Sequence, residues 1–93
     1  MPIDPPTPDW VLPRRQQLGR HIARTRQARG LVVDDVAEAT GLDRKTVMAT
    51  EGGRNAPTLD TLLLIAHALG LSVSALLDDD GPAAATGIAD GGA

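Results

Sequence analysis

Glycine residues end the apolar segments of this sequence, and their spacing restricts the chain to short helices. Gly30, Gly41 and Gly70 each follow a segment whose apolar residues fall on one helical face, and Gly52 and Gly53 follow another. Apolar residues at a spacing of three or four positions indicate a helix, whereas apolar and polar residues alternate along a strand. Glycine ends helices readily because it adopts the left-handed conformation at little steric cost. The pattern predicts an all-α chain without strands.

The same pattern predicts five helices and their caps. The predicted helices are residues 13–28, 33–40, 44–51, 59–69 and 73–77. Pro13 suits the first position of a helix, because its missing N–H would have no partner there. Asp43, Thr58 and Ser72 precede the last three helices and belong to the residue types that cap helix N-termini.

The two ends of the chain differ in composition from its middle. Four of the seven prolines fall within residues 1–9, and residues 78–93 consist mainly of Asp, Gly and Ala. Such segments bury too little apolar surface to offset chain entropy. Flexible tails are therefore expected at 1–12 and 78–93, around one domain at 13–77. We expect Trp10 to fold back on this domain as an apolar plug; the alternative is an anchor for a partner.

Positive charge is confined to the middle of the chain. The net charge is −3, but all nine Arg and Lys residues lie between Arg14 and Arg54. Only six of the twelve acidic residues fall within 14–77, so this segment carries a charge of +3. The acidic ends account for the difference. A basic domain is compatible with a nucleic-acid partner, which the net charge alone would disfavour.

The residues that the chain lacks disfavour several classes of function. It has no Cys, and His21 and His67 have no companions at ligand spacing, so no metal and no other cofactor is expected. No Ser/His/Asp set, carboxylate pair or phosphate-binding loop indicates an enzyme. The N-terminus lacks a secretion signal, and the apolar run 62–66 is too short to span a bilayer. We therefore expect a soluble cytoplasmic protein with no membrane contact.

Three residues around the second and third predicted helices indicate a compact two-helix arrangement. Ala37 is small enough for two helices to cross closely, Gly41 allows a turn of about three residues, and Val47 faces the core. The opposite face of the third helix then carries Arg44, Lys45 and Ala49. This is the geometry of a helix-turn-helix whose second helix enters the major groove of DNA. The alternative is two packed helices with no role in nucleic-acid binding.

A longer set of residues matches a known family. It comprises "AEATG" at the turn, Glu51 at the end of the third helix, "GRN" before Pro57, and "LDTLLLIAHALG" over 59–70. With these features, residues 14–77 resemble the lambda-repressor-like DNA-binding domain of the XRE/Cro-type regulators. The resemblance implies a five-helix all-α fold with a helix-turn-helix, and a recognition helix at residues 44–51.

The resemblance also implies roles for individual residues. The positions that face base edges are Arg44, Lys45 and Ala49, and those that face phosphates are Thr46, Arg54, Asn55 and Val33. Arg26 and Glu51 match positions that pair in the family, and are interpreted as a structural ion pair. The chain departs from the family where Val32 replaces a capping Thr or Ser and Val33 replaces a phosphate-contacting Gln. These valines could instead touch thymine methyl groups or a protein.

The function that the resemblance implies is a sequence-specific, nucleoid-associated transcriptional regulator, expected to be a repressor that binds double-stranded DNA. One recognition helix covers only about four to six base pairs, so a homodimer on an inverted repeat is expected. The surface predicted for the dimer or for a protein partner comprises Leu64, Leu71, Val73, Leu76 and Leu77. The alternative is a protein-interaction module, such as an antitoxin-like or anti-repressor partner, in which the DNA face is weak or unused.

Overall fold

Five helices make up most of residues 6–78, the part of the chain that the structure, a computed structural model, describes. They are α1 (Val11–Ala28), α2 (Val33–Thr40), α3 (Arg44–Glu51), α4 (Leu59–Leu69) and α5 (Val73–Leu77). No strand occurs within these residues, and none of their helices has the length and apolar character needed to cross a membrane. The predicted all-α fold is confirmed, and α2 to α5 have the predicted bounds.

The first helix begins two residues earlier than predicted. α1 starts at Val11, whose N–H donates to the carbonyl of Pro8 at 3.0 Å. Pro13 therefore occupies the third helical position, which is tolerated because the first turn has unpaired N–H groups in any case. Trp10 precedes the helix and is 67% exposed, so the prediction of an apolar plug is wrong. Within the predicted tails, residues 1–5 and 79–93 lie outside the described residues.

The helix caps follow the sequence with one exception. Thr58 Oγ1 accepts from the N–H of Thr61 at 3.1 Å, and Ser72 Oγ accepts from the N–H of Ala75 at 3.0 Å. Asp43 stands at the N-cap of α3, but its side chain makes no capping hydrogen bond.

The N-terminus of α2 is capped in a different way, because Val32 at the N-cap has no side-chain hydrogen-bond acceptor. The Asp35 carboxylate reaches back and accepts from the N–H of Val32 at 2.8 Å. This is one half of a capping box, and it offsets part of what the missing Thr or Ser would contribute.

The core is aliphatic and draws on all five helices. Its members are each 2% exposed or less: Ile22, Val36, Val47, Ile65, Ala66, Leu69 and Leu76. Leu76 was predicted at the dimer or partner surface, and that prediction is wrong. α5 has only five residues, and Leu76 is its fully buried contact with the domain. Leu71 and Val73 are half-buried and pack against the same core, whereas Leu64 and Leu77 are exposed.

A glycine in the middle of α1 permits the close crossing of α1 and α3. Gly19 is buried, and a Cβ placed on it would overlap the carbonyl oxygen of Glu51 and lie 2.6 Å from that of Thr50. Both oxygens belong to backbone, which cannot move as freely as the end of a side chain. Any other residue at position 19 would push the end of α3 away from α1.

We expect Gly19→Ala to lower the free energy of unfolding by about 1–3 kcal/mol, because the added methyl group overpacks the α1–α3 contact. In an unobstructed helix the same change would raise stability by roughly 0.5–1 kcal/mol, so its sign is diagnostic. Urea unfolding followed by circular dichroism measures it. Gln27→Ala, at an exposed position of α1, serves as the control and should change stability by less than about 0.5 kcal/mol. A stabilised Gly19→Ala variant would contradict the close crossing.

Candidate nucleic-acid interface

Residues 41–43 form a tight turn that sets α3 against α2. Gly41 adopts the left-handed conformation with φ 77° and donates its N–H to the carbonyl of Ala37 at 2.9 Å. The Thr40 hydroxyl donates to the carbonyl of Val36 at 2.7 Å and accepts from the N–H of Leu42 at 3.2 Å. The last turn of α2 and the first residues after it are therefore held by local hydrogen bonds.

The orientation of α3 follows from its two buried residues. Val47 and Thr50 lie one turn apart and face the core, and the Thr50 hydroxyl donates to the carbonyl of Thr46 at 2.9 Å. A helix turns about 100° per residue, so the face opposite to Val47 and Thr50 has Lys45 near its centre and Met48 and Ala49 on either side. Lys45 and Met48 are both exposed.

Met48 is a member of this face and is not among the residues predicted to contact DNA. Its side chain is 42% exposed on α3, in the turn that follows Arg44 and Lys45. The helical spacing contains the signal, because two inward residues at 47 and 50 leave position 48 outward. An apolar, flexible side chain at this place can contact thymine methyl groups.

The predicted contact residues lie at both ends of α3 and at the start of α2. Arg44 and Lys45 are exposed in the first turn of α3, and Thr46 and Ala49 are half-buried. Arg54 and Asn55 are exposed in the loop after α3.

The two valines at the start of α2 differ in exposure. Val33 is half-buried and packs against the core, while Val32 is exposed. The side chain of Val33 is thus directed away from a phosphate. Its backbone N–H lies at the first position of α2, where helices have no intrahelical acceptor and attract anions.

The loop after α3 is held against α1. The N–H of Arg54 donates to the carbonyl of Ala49 at 3.0 Å, and Arg15 Nε donates to the carbonyl of Gly53 at 3.4 Å. Gly53 has φ 67°, and a Cβ there would come within 2.8 Å of Gln16 Cα. The contacts fix where Arg54 and Asn55 project relative to α3.

Arg26 and Glu51 form a nearly buried ion pair between the ends of α1 and α3. Arg26 Nε donates to Glu51 Oε2 at 2.7 Å and Arg26 Nη2 donates to Glu51 Oε1 at 3.0 Å. The two side chains are only 11% and 12% exposed. Arg26 Nη1 also donates to the carbonyl of Leu31 at 2.9 Å, before α2 begins.

The environment of Arg26 strengthens its charged state. The hydrogen bond to Glu51 raises the pKa of Arg26 above its ordinary value, and burial opposes this rise. Because the pKa is raised, the contribution of this cation to stability is complete below the ordinary arginine pKa and is lost only above it. The pair therefore keeps its cation throughout the neutral range.

A second ion pair, which the sequence did not predict, joins the first turns of the two helices. Arg44 Nη1 lies 3.2 Å from Asp34 Oδ1. The side chains of Arg44 and Asp34 are 59% and 67% exposed, so water screens this pair far more than the pair between Arg26 and Glu51. Asp34 lies in the first turn of α2, where an acidic side chain also complements the helix dipole.

Two short helices joined by a three-residue turn, with the second anchored by Val47 and exposing basic residues, define a helix-turn-helix domain. Residues 17–78 match the family described as "Helix-turn-helix domain". The chain belongs to this family, as a member of its XRE/Cro-type, lambda-repressor-like DNA-binding regulators.

The chain is also similar to particular regulators. It is 36% identical over 58 residues to an uncharacterised HTH-type transcriptional regulator, y4dJ, of Sinorhizobium fredii, covering 62% of this chain and 75% of the relative. The restriction-modification controller protein C.AhdI from Aeromonas hydrophila superposes with a TM-score of 0.64 at 31% identity, over 66% of this chain and 92% of the controller. The clp gene regulator ClgR from Corynebacterium glutamicum superposes with a TM-score of 0.70 at 26% identity, over 85% of this chain and 84% of the ClgR chain.

The ion pair of Arg26 and Glu51 can be tested by a double-mutant cycle. Arg26→Met and Glu51→Leu should each lower the free energy of unfolding by about 3 kcal/mol, because each leaves one charge nearly buried without its partner. The double variant should lose less than the sum, with a coupling of about 1–3 kcal/mol.

The exposed pair of Arg44 and Asp34 provides a matched control for this cycle. The same cycle with Arg44→Met and Asp34→Leu should give a coupling below about 1 kcal/mol, because water screens the charges. Additive losses at Arg26 and Glu51 would contradict a structural role for their pair. Chemical unfolding of the six variants and the wild type provides both couplings.

Proposed function

We propose that this protein is a sequence-specific repressor that binds an inverted-repeat operator as a homodimer, with α3 in the major groove. The observation that carries the proposal is the orientation of α3. Val47 and Thr50 face the core, so Arg44 and Lys45 project from the first turn of a helix that is otherwise anchored. Recognition helices of this class contact base edges with their N-terminal residues.

The two basic residues and Ala49 are assigned to base contacts. Arg44 can donate two hydrogen bonds to O6 and N7 of a guanine, and Lys45 can bind the same atoms less rigidly. A good bidentate contact of this kind discriminates by about 1–3 kcal/mol against the wrong base. Ala49 offers only a methyl group, which suits the methyl group of thymine.

A second set of groups is assigned to phosphates. These are Arg54 and Asn55 in the loop after α3, the hydroxyl of Thr46, and the backbone N–H of Val33 at the start of α2. Such contacts orient a protein on the duplex without recognising sequence. Two hydrogen bonds support this assignment, because they hold Arg54 and Asn55 near the end of α3: the N–H of Arg54 donates to the carbonyl of Ala49, and Arg15 donates to the carbonyl of Gly53.

The dimer interface is assigned to exposed leucines of α4 and α5. Leu63 and Leu64 follow one another on α4, Leu77 ends α5, and all three are exposed. Burial of such residues between two copies would remove apolar surface from water, and two-fold pairing would double the length of DNA recognised. Repression needs only occupancy of the operator, which such a dimer would provide. Operators on the chromosome would place the protein at the nucleoid, in the cytoplasm.

Selection of bound duplexes from a random library tests the DNA contacts. We expect the wild-type protein, near physiological salt, to enrich an inverted repeat with a guanine in each half-site. The variant Arg44→Ala/Lys45→Ala should lose that guanine preference. Arg20→Ala/Arg29→Ala removes the same charge from exposed positions of α1 and should keep the preference at lower overall affinity.

Failure of this selection would favour the alternative function, a protein-interaction module in which the DNA face is weak or unused. If a folded wild-type protein enriches no duplex, the proposed regulator is refuted. The exposed apolar side chains of Val32 and Met48 would then indicate a protein-binding role.

Substitution of an exposed leucine by a charged residue tests the dimer interface. Leu64→Glu should lower the dimer fraction seen in sedimentation equilibrium, because a carboxylate would have to be buried without a partner. It should weaken binding to the full inverted repeat while leaving the affinity for a single half-site unchanged. Leu12→Glu, at an exposed leucine of α1, serves as the control and should change neither property. Equal dimer fractions for the two variants would exclude Leu64 from the interface.

A further inference from the structure

The exposed ion pair of Asp34 and Arg44 lies where the proposed function needs a free base-contacting side chain. Asp34 is the second residue of α2 and Arg44 is the first residue of α3. Their side chains meet at 3.2 Å between Asp34 Oδ1 and Arg44 Nη1, across the turn that separates the two helices. The guanidinium that would contact a guanine is thus held by a carboxylate when no DNA is present.

The geometry leaves most of the guanidinium available. An arginine has five N–H donors on three nitrogens, and the hydrogen bond to Asp34 involves Nη1. The Nη2 and Nε donors of Arg44 remain for a second acceptor. One edge of the side chain can therefore stay on the carboxylate while the other donates to O6 and N7 of a base.

The same carboxylate acts against contacts with phosphate. Binding to DNA of any sequence depends on neutralising phosphate charge, and Arg44 without an acidic neighbour would contribute fully to it. Asp34 cancels part of that charge and repels a phosphate that approaches the same guanidinium. A base edge is uncharged and is not repelled in this way. The pair thus weakens binding to unrelated DNA more than binding to a guanine.

We infer that Asp34 is a positioning residue that determines specificity: its carboxylate orients Arg44 for a guanine and suppresses its contact with phosphate. The inference rests on the proposed function, because it assumes that Arg44 contacts a base. Asp34 itself need not touch DNA. Loss of its charge should raise affinity for DNA in general and lower the discrimination between operator and unrelated sequence.

The test compares Asp34→Asn with Glu38→Gln. Glu38 lies one turn further along α2, is exposed, and its replacement removes the same charge. Affinities are measured by fluorescence anisotropy for the selected operator, for the operator with its half-site guanines replaced by adenine, and for an unrelated duplex. A thermal unfolding midpoint for each variant shows that the fold is retained.

We expect Asp34→Asn to tighten binding to the unrelated duplex by about fivefold. This ratio of affinities corresponds to the free energy that one exposed ion pair contributes. Its discrimination between guanine and adenine operators should fall by a similar factor. Glu38→Gln should tighten binding to all three duplexes equally and leave their ratios unchanged. Asp34→Glu, which can reform the ion pair, should restore the wild-type discrimination. In an Arg44→Ala background, Asp34→Asn should have no effect on discrimination.

The outcomes separate the two proposals. If the wild-type protein discriminates through Arg44, and Asp34→Asn keeps the wild-type ratios or behaves like Glu38→Gln, the role of Asp34 is refuted and the regulator stands. If Arg44→Ala leaves the guanine preference intact, the assignment of Arg44 to a base is refuted, and the inference about Asp34 fails with it.

Discussion

Two hydrogen bonds between Arg26 and Glu51 join the end of α1 to the end of α3, in a site where water hardly reaches either side chain. Gly19 lets the two helices approach so closely that the pair can form, and backbone oxygens of α3 occupy the space that a side chain would need. With its C-terminal end held in this way and its apolar face in the core, α3 has one face left for solvent. That face begins with Arg44 and Lys45.

The domain contains two arginine–carboxylate ion pairs, and their different burial decides how lasting each contact is. Between Arg26 and Glu51 the charges are nearly removed from water, so separating them would leave an unsatisfied charge in the domain. Between Arg44 and Asp34 water screens the attraction, so the contact can be exchanged for another partner at little cost. The contact that holds α3 against α1 therefore lasts, while the contact that Arg44 makes at the start of α3 remains exchangeable.

Much of the fold could be predicted because its determinants are local. Thr58 and Ser72 cap the helices that follow them, and Gly41 ends α2 in the left-handed conformation. The candidate site could be predicted only in part. The exposure of Arg44 and Lys45 followed from family resemblance and helical spacing. Met48 was not selected, because methionine is a residue type that is usually buried, although the spacing places it outward.

The sequence by itself determined the five helices, the family and the placement of positive charge within one domain. It did so because capping, glycine turns and helical periodicity act over one or two turns of chain. Only the tertiary structure decided that Leu76 is buried while Leu77 is exposed, that Trp10 stays in solvent, and that Arg44 meets Asp34. These outcomes depend on how helices pack across the core, and residues ten or more positions apart have no local preference that brings their side chains together.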